Sequence, residues 1–417
     1  MQNPLTNNHR IPSAGICQVT LGELLDNTPI VTELDDIFDC IPYKKLLRAI
    51  RAERTRAYSP LGHPGYSPEV MLRAYLASYA LGVRSTNDLI TQLENNPVLR
   101  VVCGFNIKRP LPHRTTFNRF MDKLIKHQNL VDECLNEITT RLYEAIPNFG
   151  KTVAIDATTI CSHSNPDKKS PSDPEAGFAH KGRGIGKGHW DFGYYLHLVA
   201  DASLELPIAK EMSFSRQHEM EMAIPLLRKA RNDFQWFDPE VVTADAGYDK
   251  YQIYEDIVCE FDAEPIIALA KKGPLISGTP AAPVCPGGLP LIHIGFYREG
   301  HRYECPARAR KSIECPLPEK CPLKVAYIHP DHDYRRFGYH IPRTAPEWQE
   351  IYNKRVAVER VYSRLKGKRR LNSHCFRGFN KINLHCTLSL LVMQAMALAR
   401  VKVGQLDQIR VSSRKIA

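Results

Sequence analysis

The apolar residues of this chain change period at Pro147-Asn-Phe-Gly150, so no single repeating architecture can run through it. Upstream, Ile138, Leu142 and Ile146 continue a helical stripe. Downstream, Thr152-Val-Ala-Ile-Asp-Ala-Thr-Thr159 is β-branched and apolar, as a buried strand is. The break divides an all-helical region from a region where strands alternate with helices.

In the helical part, Ser67-Pro68-Glu69 is a helix start, with Ser as cap and Pro at the first helical position. Val70, Met71, Ala74, Tyr75 and Leu81 follow at helical spacing, and Gly82 closes the helix. Further short helices are expected from Ser85, up to Gly104, and from Thr115 or Thr116. Residues 61–150 therefore read as a helical domain behind an irregular arm, 1–60. Such bundles often house helix-turn-helix DNA readers, and a packing or dimerisation module fits the pattern equally. Beyond the break, strands are expected at 194–200, 206–214, 241–245 and 265–270, with helices between them, a mixed α/β order. The Gly- and Lys-rich stretch between Ser162 and Trp190, with Lys168, Lys169, Lys181, Arg183 and Lys187, cannot pack a core. Residues 271–345, rich in Pro and Gly, read as an insertion. A long helix is expected from Pro346 to about Lys366, and residues 401–417 form a tail.

Two acids stand where apolar strands disfavour them. Asp156 lies within Val-Ala-Ile-Asp-Ala-Thr, and Asp245 ends Val-Val-Thr-Ala-Asp, with Gly247 permitting a tight turn after it. Either alone is explained by a cap or a turn. Two on strands of one sheet would converge, and convergent carboxylates can hold a divalent metal. A third acid comes from the helix 351–366. There Ile351, Val358, Val361 and Leu365 make an apolar stripe, and Tyr352, Arg355, Glu359, Tyr362 and Lys366 a second, rotated by one residue. The second stripe can face a cleft; it can equally be a solvated face with Arg355 and Glu359 paired, worth a few tenths of a kcal/mol.

The spacing Tyr352-x2-Arg355-x3-Glu359-x6-Lys366 resembles the Y-(2)-R-(3)-E-(6)-K signature of bacterial insertion-sequence DDE transposases. Ala-Ile-Asp156-Ala-Thr and Ala-Asp245-Ala-Gly-Tyr-Asp are similar to that family's first and second acidic motifs, and Phe192-Gly-Tyr-Tyr-Leu-His197 to its second-strand phrase. The run from Ser67-Pro-Glu through Cys103-Gly-Phe105 to Thr116-Phe-Asn-Arg-Phe120 resembles its helical domain. The resemblance covers about residues 60–400. Tyr195 stands where the family usually has Lys, and His218-Glu219 where it has His-Asp.

The resemblance implies a ribonuclease-H-like catalytic fold over 151–400, with Asp156, Asp245 and Glu359 holding two Mg²⁺ or Mn²⁺ ions. It implies cleavage of double-stranded DNA at terminal inverted repeats and joining of 3′ ends to a target, by a homodimer that brings two ends together. Arg355 and Lys366 would hold phosphates, with Tyr352 a phosphate or base contact and a tyrosine nucleophile the lesser alternative. A catalytically inactive DNA-binding descendant and a stand-alone metal-dependent nuclease are the competing readings.

Arg360, Arg364, Lys366, Lys368, Arg369 and Arg370 fall within eleven residues without an acid, and Arg377 extends the cluster. It is a solvated face or, beside a DNA-cutting centre, a phosphate track. Lys plus Arg exceed Asp plus Glu, 56 to 45, as a polyanionic partner favours. Cys285, Cys305, Cys315 and Cys321, each followed by Pro, are ligands of a structural Zn²⁺ or unligated thiols. The other cysteines, Cys17 among them, are scattered, and His163 reads as a polar contact near Asp156. Met1 to Leu21 has no apolar core long enough for a secretory signal, and Leu384 to Val401 is short for a membrane span. The expected location is the cytoplasm.

Overall fold

A computed structural model describes residues 28–56, 65–167, 169–181, 189–215, 219–270, 276–279, 281–297, 300–317, 321, 323–328 and 333–411. Cys17, Lys168, Arg183, Lys187 and His218, singled out above, lie outside these, and Lys181 is described by its backbone alone.

Among the described residues, seven helices precede the break: α1 (Pro29–Cys40), α2 (Lys44–Arg56), α3 (Pro68–Ala80), α4 (Thr86–Asn95), α5 (Pro97–Val102), α6 (Arg114–Lys126) and α7 (Gln128–Ala145). Turn chemistry separates them. Ser85 accepts the Asp88 N–H at 3.1 Å and Asn96 the Leu99 N–H at 2.9 Å, each opening a helix. Pro68 occupies the first turn of α3, but the Ser67 side chain makes no cap hydrogen bond. The irregular arm expected over 1–60 is corrected: residues 29–56 are helical. Val31, Leu34, Ile37 and Phe38 bury one face of α1, and Leu46, Leu47 and Ile50 one face of α2.

The strands β1 (Thr152–Cys161), β2 (Gly177–Lys181), β3 (His189–Asp201), β4 (Leu206–Phe214), β5 (Val241–Ala244) and β6 (Glu264–Ile267) form one mixed sheet. Its order is β2-β3-β1-β5-β6, with β4 also on β3. β3 is long enough to carry β2 along its first half and β4 along its second. β1 runs antiparallel to β3 and parallel to β5, which is parallel to β6. Asp201 makes the β3–β4 turn, accepting the N–H groups of Gly150, Ser203 and Leu204.

Helices α8 (Ala223–Asp233) and α9 (Tyr251–Phe261) pack on this sheet. The helix expected over 346–366 is two, α10 (Pro346–Asn353) and α11 (Val356–Lys368), interrupted at Lys354-Arg355. The last, α12 (Phe379–Lys402), is long and apolar enough to cross a membrane, yet 89% of its most apolar window is buried inside the protein. It packs against α1, α3, α6, α7, α11 and β4. Its polar side chains are satisfied there: His385 Nδ1 meets the Tyr79 hydroxyl at 2.9 Å, and Gln394 accepts from Thr139 at 3.0 Å.

That helix explains why the helical region is not a detachable unit. One apolar core runs from Val31 through β1 and β3 to Ile409. The insertion has a separate core of its own. Strands β7 (Ser277–Gly278) and β8 (Pro283–Val284) pair, and β9 (Ile292–Tyr297), β10 (Gly300–Glu304) and β11 (Val325–Ile328) form a three-stranded sheet. Ile276, Leu291, Tyr303, Leu323, Ala326 and Ile328 are buried beneath them. Asp249, bidentate to Arg335 at 2.6 and 2.7 Å, ties the returning chain to the turn between β5 and α9.

Candidate active site

Strand register brings the two strand acids together. β1 and β5 pair as Thr152↔Val241, Val153↔Val242 and Ala154↔Thr243, and there the ladder ends. Carried two residues further, the same register sets Asp156 beside Asp245, on strands whose spacing is about 4.8 Å. The acids therefore flank the opening where β5 ends and β1 runs on without it, and the C-terminal end of a parallel strand is a place where α/β sheets gather ligands.

Asp156 is half-buried, and its carboxyl is pushed up to about 7. Burial is the main cause; the neighbouring carboxylates of Asp245 and Glu219 add to it, and the Arg355 guanidinium opposes it. Asp245 keeps part of the structural role that a turn would give it. Its Oδ1 accepts the Gly247 N–H at 2.7 Å, capping the short turn Ala246–Tyr248. Gly247 is in van der Waals contact with that oxygen, and a Cβ there would stand 2.9 Å from it. Gly247→Ala is thus expected to swing the Asp245 carboxylate out of place with little loss of stability. Misplacement on the order of 1 Å costs up to about 10²-fold in rate; DNA cleavage and thermal melting of the variant, measured together, check it. Unchanged cleavage would show that the cap does not set the carboxylate.

Helix α11 lies over the same face. Alternate residues of a strand share a face, so Asp156 and Thr158 point the same way. Lys366 donates to the Thr158 hydroxyl, and the buried Tyr362 hydroxyl donates to the carbonyls of Asp156 (2.7 Å) and Leu196 (3.0 Å). Of the expected inner stripe, Val358, Val361 and Leu365 are fully buried on α11, while Ile351 is only partly buried and lies on α10. The outer stripe then lies beside the carboxylates. Glu359, its side chain 50% exposed, is paired with Arg355 at 2.7 Å. Arg355 also sits over the Tyr352 ring, 5.6 Å from its centroid, and Trp348 stacks on that ring at 5.2 Å. Among the described residues no three His, Cys, Asp or Glu are grouped closely enough to hold a metal ion. Asp156 and Asp245 are close enough for their charges to act on each other, and Glu359 on α11 has its carboxylate on Arg355.

A fourth carboxylate was not among the residues expected here. Glu219 opens the turn Glu219–Met222, which packs on β3 and on the turn after Asp245. Its charge acts on Asp156, and the Tyr195 hydroxyl hydrogen-bonds to it. The two departures from the resembled signature thus meet each other. Tyr248 is 1% exposed, and among the described residues its hydroxyl has no hydrogen-bond partner; burial raises it well above a tyrosine's ordinary value, helped by Asp156, Glu219 and Asp245. The acid at 219 could have been found in the sequence, since the signature carries an acid at that position.

These residues fit hard divalent cations. The donors are carboxylate oxygens, which Mg²⁺ and Mn²⁺ prefer. Like charges crowd around a half-buried aspartate whose ionised form lacks compensation, as the raised Asp156 carboxyl records.

The basic run needs correcting. Arg369 is 3% exposed and donates to the carbonyls of Tyr79 and Ala80 at the end of α3, so no phosphate reaches it. Arg364 is mostly buried, donating to the carbonyls of Glu205 and Arg410 (3.1 Å to the latter). Arg360 is 61% exposed but paired with Glu205 at 2.7 Å. Lys368 and Arg370 are exposed. The zinc expectation is corrected too. Cys285 and Cys305 are buried, Cys321 partly so, Cys315 exposed, and they make no metal-holding group among the described residues. The reason for invoking zinc, a missing apolar core, fails because the insertion has one.

The profile of the Transposase DDE domain family matches residues 147–394, and that of a second family, the transposase domain DUF772, matches residues 20–123. No curated protein matches the sequence. Among matching solved structures is the cryo-EM structure of a piggyBac transposase synaptic complex with hairpin DNA. It is 12% identical, with a TM-score of 0.38, over 93% of this chain and 81% of that one. So loose a likeness does not bear on what this chain does. The family match spans more than half of the sequence and takes in Asp156, Asp245 and Glu359 together, and the chain belongs to the transposase DDE domain family.

Proposed function

We propose that this transposase cuts double-stranded DNA at the terminal inverted repeats of a mobile element and joins the 3′ ends to target DNA. Asp156, Asp245 and Glu359 would hold two Mg²⁺ or Mn²⁺ ions, and the enzyme would act as a homodimer in the cytoplasm. Such a pair of cations, when bound, activates the attacking water or 3′-hydroxyl and stabilises the leaving oxygen. The observation that carries this reading is the β1–β5 register, which runs Asp156 and Asp245 to the same level beneath the helix bearing Glu359.

The chain's own residues supply positioning. Tyr362 pins α11 to the Asp156 carbonyl, fixing how far Glu359 stands from the strands. Arg355, beside Glu359 and acting on Asp156, offers a planar fork that matches phosphate oxygens. Lys366, two residues along β1 at Thr158, offers a second cation. Tyr352, stacked on Trp348, lies under the Arg355 guanidinium. A ribonuclease-H-like core is supported by the strand order β4-β3-β1-β5-β6, antiparallel through β1 and parallel beyond.

The test is a plasmid carrying the gene with its flanking DNA, incubated with the purified protein and Mg²⁺ or Mn²⁺. Cleavage at the flanks and joined products are expected, and Glu359→Gln should reduce both on the order of 10³-fold. Metal-independent cleavage, or cleavage untouched by Glu359→Gln, overturns the assignment. Cutting without joining marks a nuclease, and binding without cutting marks a silent DNA-binding protein.

A further inference from the structure

We infer that the cleft between the helical region and the catalytic sheet seats the sugar–phosphate backbone of the DNA duplex engaged by the carboxylates. The helical region is then one wall of the DNA path and not a separate reader. This rests on the transposase reading and says where its substrate lies.

The cleft has a volume of about 540 Å³. Arg84 and Arg114 line it from the helical side, at the entry to α4 and the first residue of α6. Arg377 and Lys381 line it from the core side, Lys381 in the first turn of α12. All four are exposed, and among the described residues none is ion-paired with a carboxylate. One acid, Asp122, faces the four cations across the cleft. Four unpaired cations converging from two walls raise each other's energy, and a polyanion relieves that. A protein partner would want a large apolar anchor; the cleft's larger apolar side chains, Met121 and Phe376, are not exposed, and its exposed Cys375 is small.

The position relative to the carboxylates selects a long, regularly charged ligand over a small anion. β1 leads from Asp156 past Thr158, where Lys366 sits, to Cys161; His163, just beyond, lines the cleft and gives its carbonyl to Arg377. From Asp156 to Cys161 is about 16 Å of strand, at about 3.3 Å per residue. That equals roughly five steps of duplex at about 3.4 Å each. A backbone held at the carboxylates and continuing past Lys366 enters the cleft about five base pairs away. The walls share one apolar core, so the cleft is fixed in width before DNA arrives.

The test measures binding of a 30-base-pair duplex of arbitrary sequence to the full chain by fluorescence anisotropy, between about 50 and 200 mM salt. The variants are Arg84→Ala/Arg114→Ala/Arg377→Ala/Lys381→Ala together, the same four positions with the arginines changed to Lys, and Arg302→Ala on the exposed face of the insertion. Removing four phosphate contacts should flatten the log–log salt slope by about 3.6, close to 10²-fold less loss of affinity over that range. The Lys version should restore the slope, and Arg302→Ala should leave it alone. On a second duplex, one carrying the element's own end and cut about three base pairs beyond the cleavage position, wild type and quadruple variant should bind alike. An unchanged slope in a quadruple variant that melts like wild type overturns the cleft, while wild-type cleavage leaves the transposase reading standing. If wild type neither binds nor cuts DNA, both fall.

Discussion

Replacing Asp156 by asparagine is expected to abolish metal-dependent cleavage and, in the same molecule, to stabilise the metal-free fold. Its carboxyl is pushed up to about 7 chiefly by burial, with Asp245 and Glu219 adding repulsion, against an ordinary value of 3.8. At 1.36 kcal/mol per pH unit, holding it ionised at pH 8 costs the fold about 4 kcal/mol. Asparagine keeps the shape and removes the charge. A gain of about 2–4 kcal/mol is expected, or roughly 3–6 °C in melting temperature for a chain of this size. Catalysis and stability therefore pull in opposite directions at one side chain, as strained sites do.

The sign of the pH dependence follows from the same residue. The folded state binds the Asp156 proton more tightly than the unfolded state, so the cost is absent below about pH 4. It grows through the interval to about 7 and is complete above it. The advantage of Asp156→Asn over wild type should vanish near pH 4 and be largest at pH 8, in melts run with chelator. Divalent cations compete with that proton. Cleavage at subsaturating Mn²⁺ should rise about fivefold from pH 6 to 7, reach about tenfold by pH 8 and level off beyond it. A stability difference that ignores pH would remove burial of the charge as its cause.

How much of this was legible in the chain divides along physical lines. Asp156 and Asp245 each stand four residues into their strands, counted from Thr152 and Val241, and parallel pairing from those residues brings them level. The spacing Glu359–Tyr362–Lys366 is a matter of helical period and holds along α11, while the break at Lys354-Arg355, which leaves Tyr352 on α10, has no periodic signal. The pattern that made α1 and α2 helical was also present, in Val31, Leu34, Ile37 and Phe38, and reading the arm as irregular passed over it. Glu219 was harder. Its approach to Asp156 depends on a turn folding back over β3, which no local period encodes. The insertion's core is assembled from strands of two to six residues, too short to show alternation. The basic run misled for a different reason. Charge density along a sequence says nothing about which side chains meet the end of a neighbouring helix, and Arg369 does.

Arg369→Ala is accordingly expected to cost stability and not DNA affinity. The guanidinium stands at the C-terminal end of α3, 3.3 Å from the Tyr79 carbonyl and 2.5 Å from that of Ala80, where a helix dipole favours a cation. Burial lowers its pKa to about 10, still far above neutral pH, so it stays charged. Removing it strands the Ala80 carbonyl, leaves that of Tyr79 with only the long Gly82 N–H bond, and opens a cavity where α3, α11 and α12 meet. A loss of about 3 kcal/mol or more is expected from the orphaned acceptors and lost packing together. Gly82 stands in the same junction, in the left-handed region at φ +65°, and a Cβ there would come within 2.7 Å of the Lys368 carbonyl, so the interface cannot slide to heal the gap. Arg369→Lys should recover part of the loss, because one ammonium can serve one carbonyl. The decisive comparison is the salt dependence of duplex binding by folded Arg369→Ala below its melting transition. If Arg369 belongs to the junction, the slope equals that of wild type; if it touches DNA phosphate, the slope falls by about 0.9. Full stability together with that smaller slope would return Arg369 to the DNA surface and break the bond drawn here between α3 and the catalytic helix.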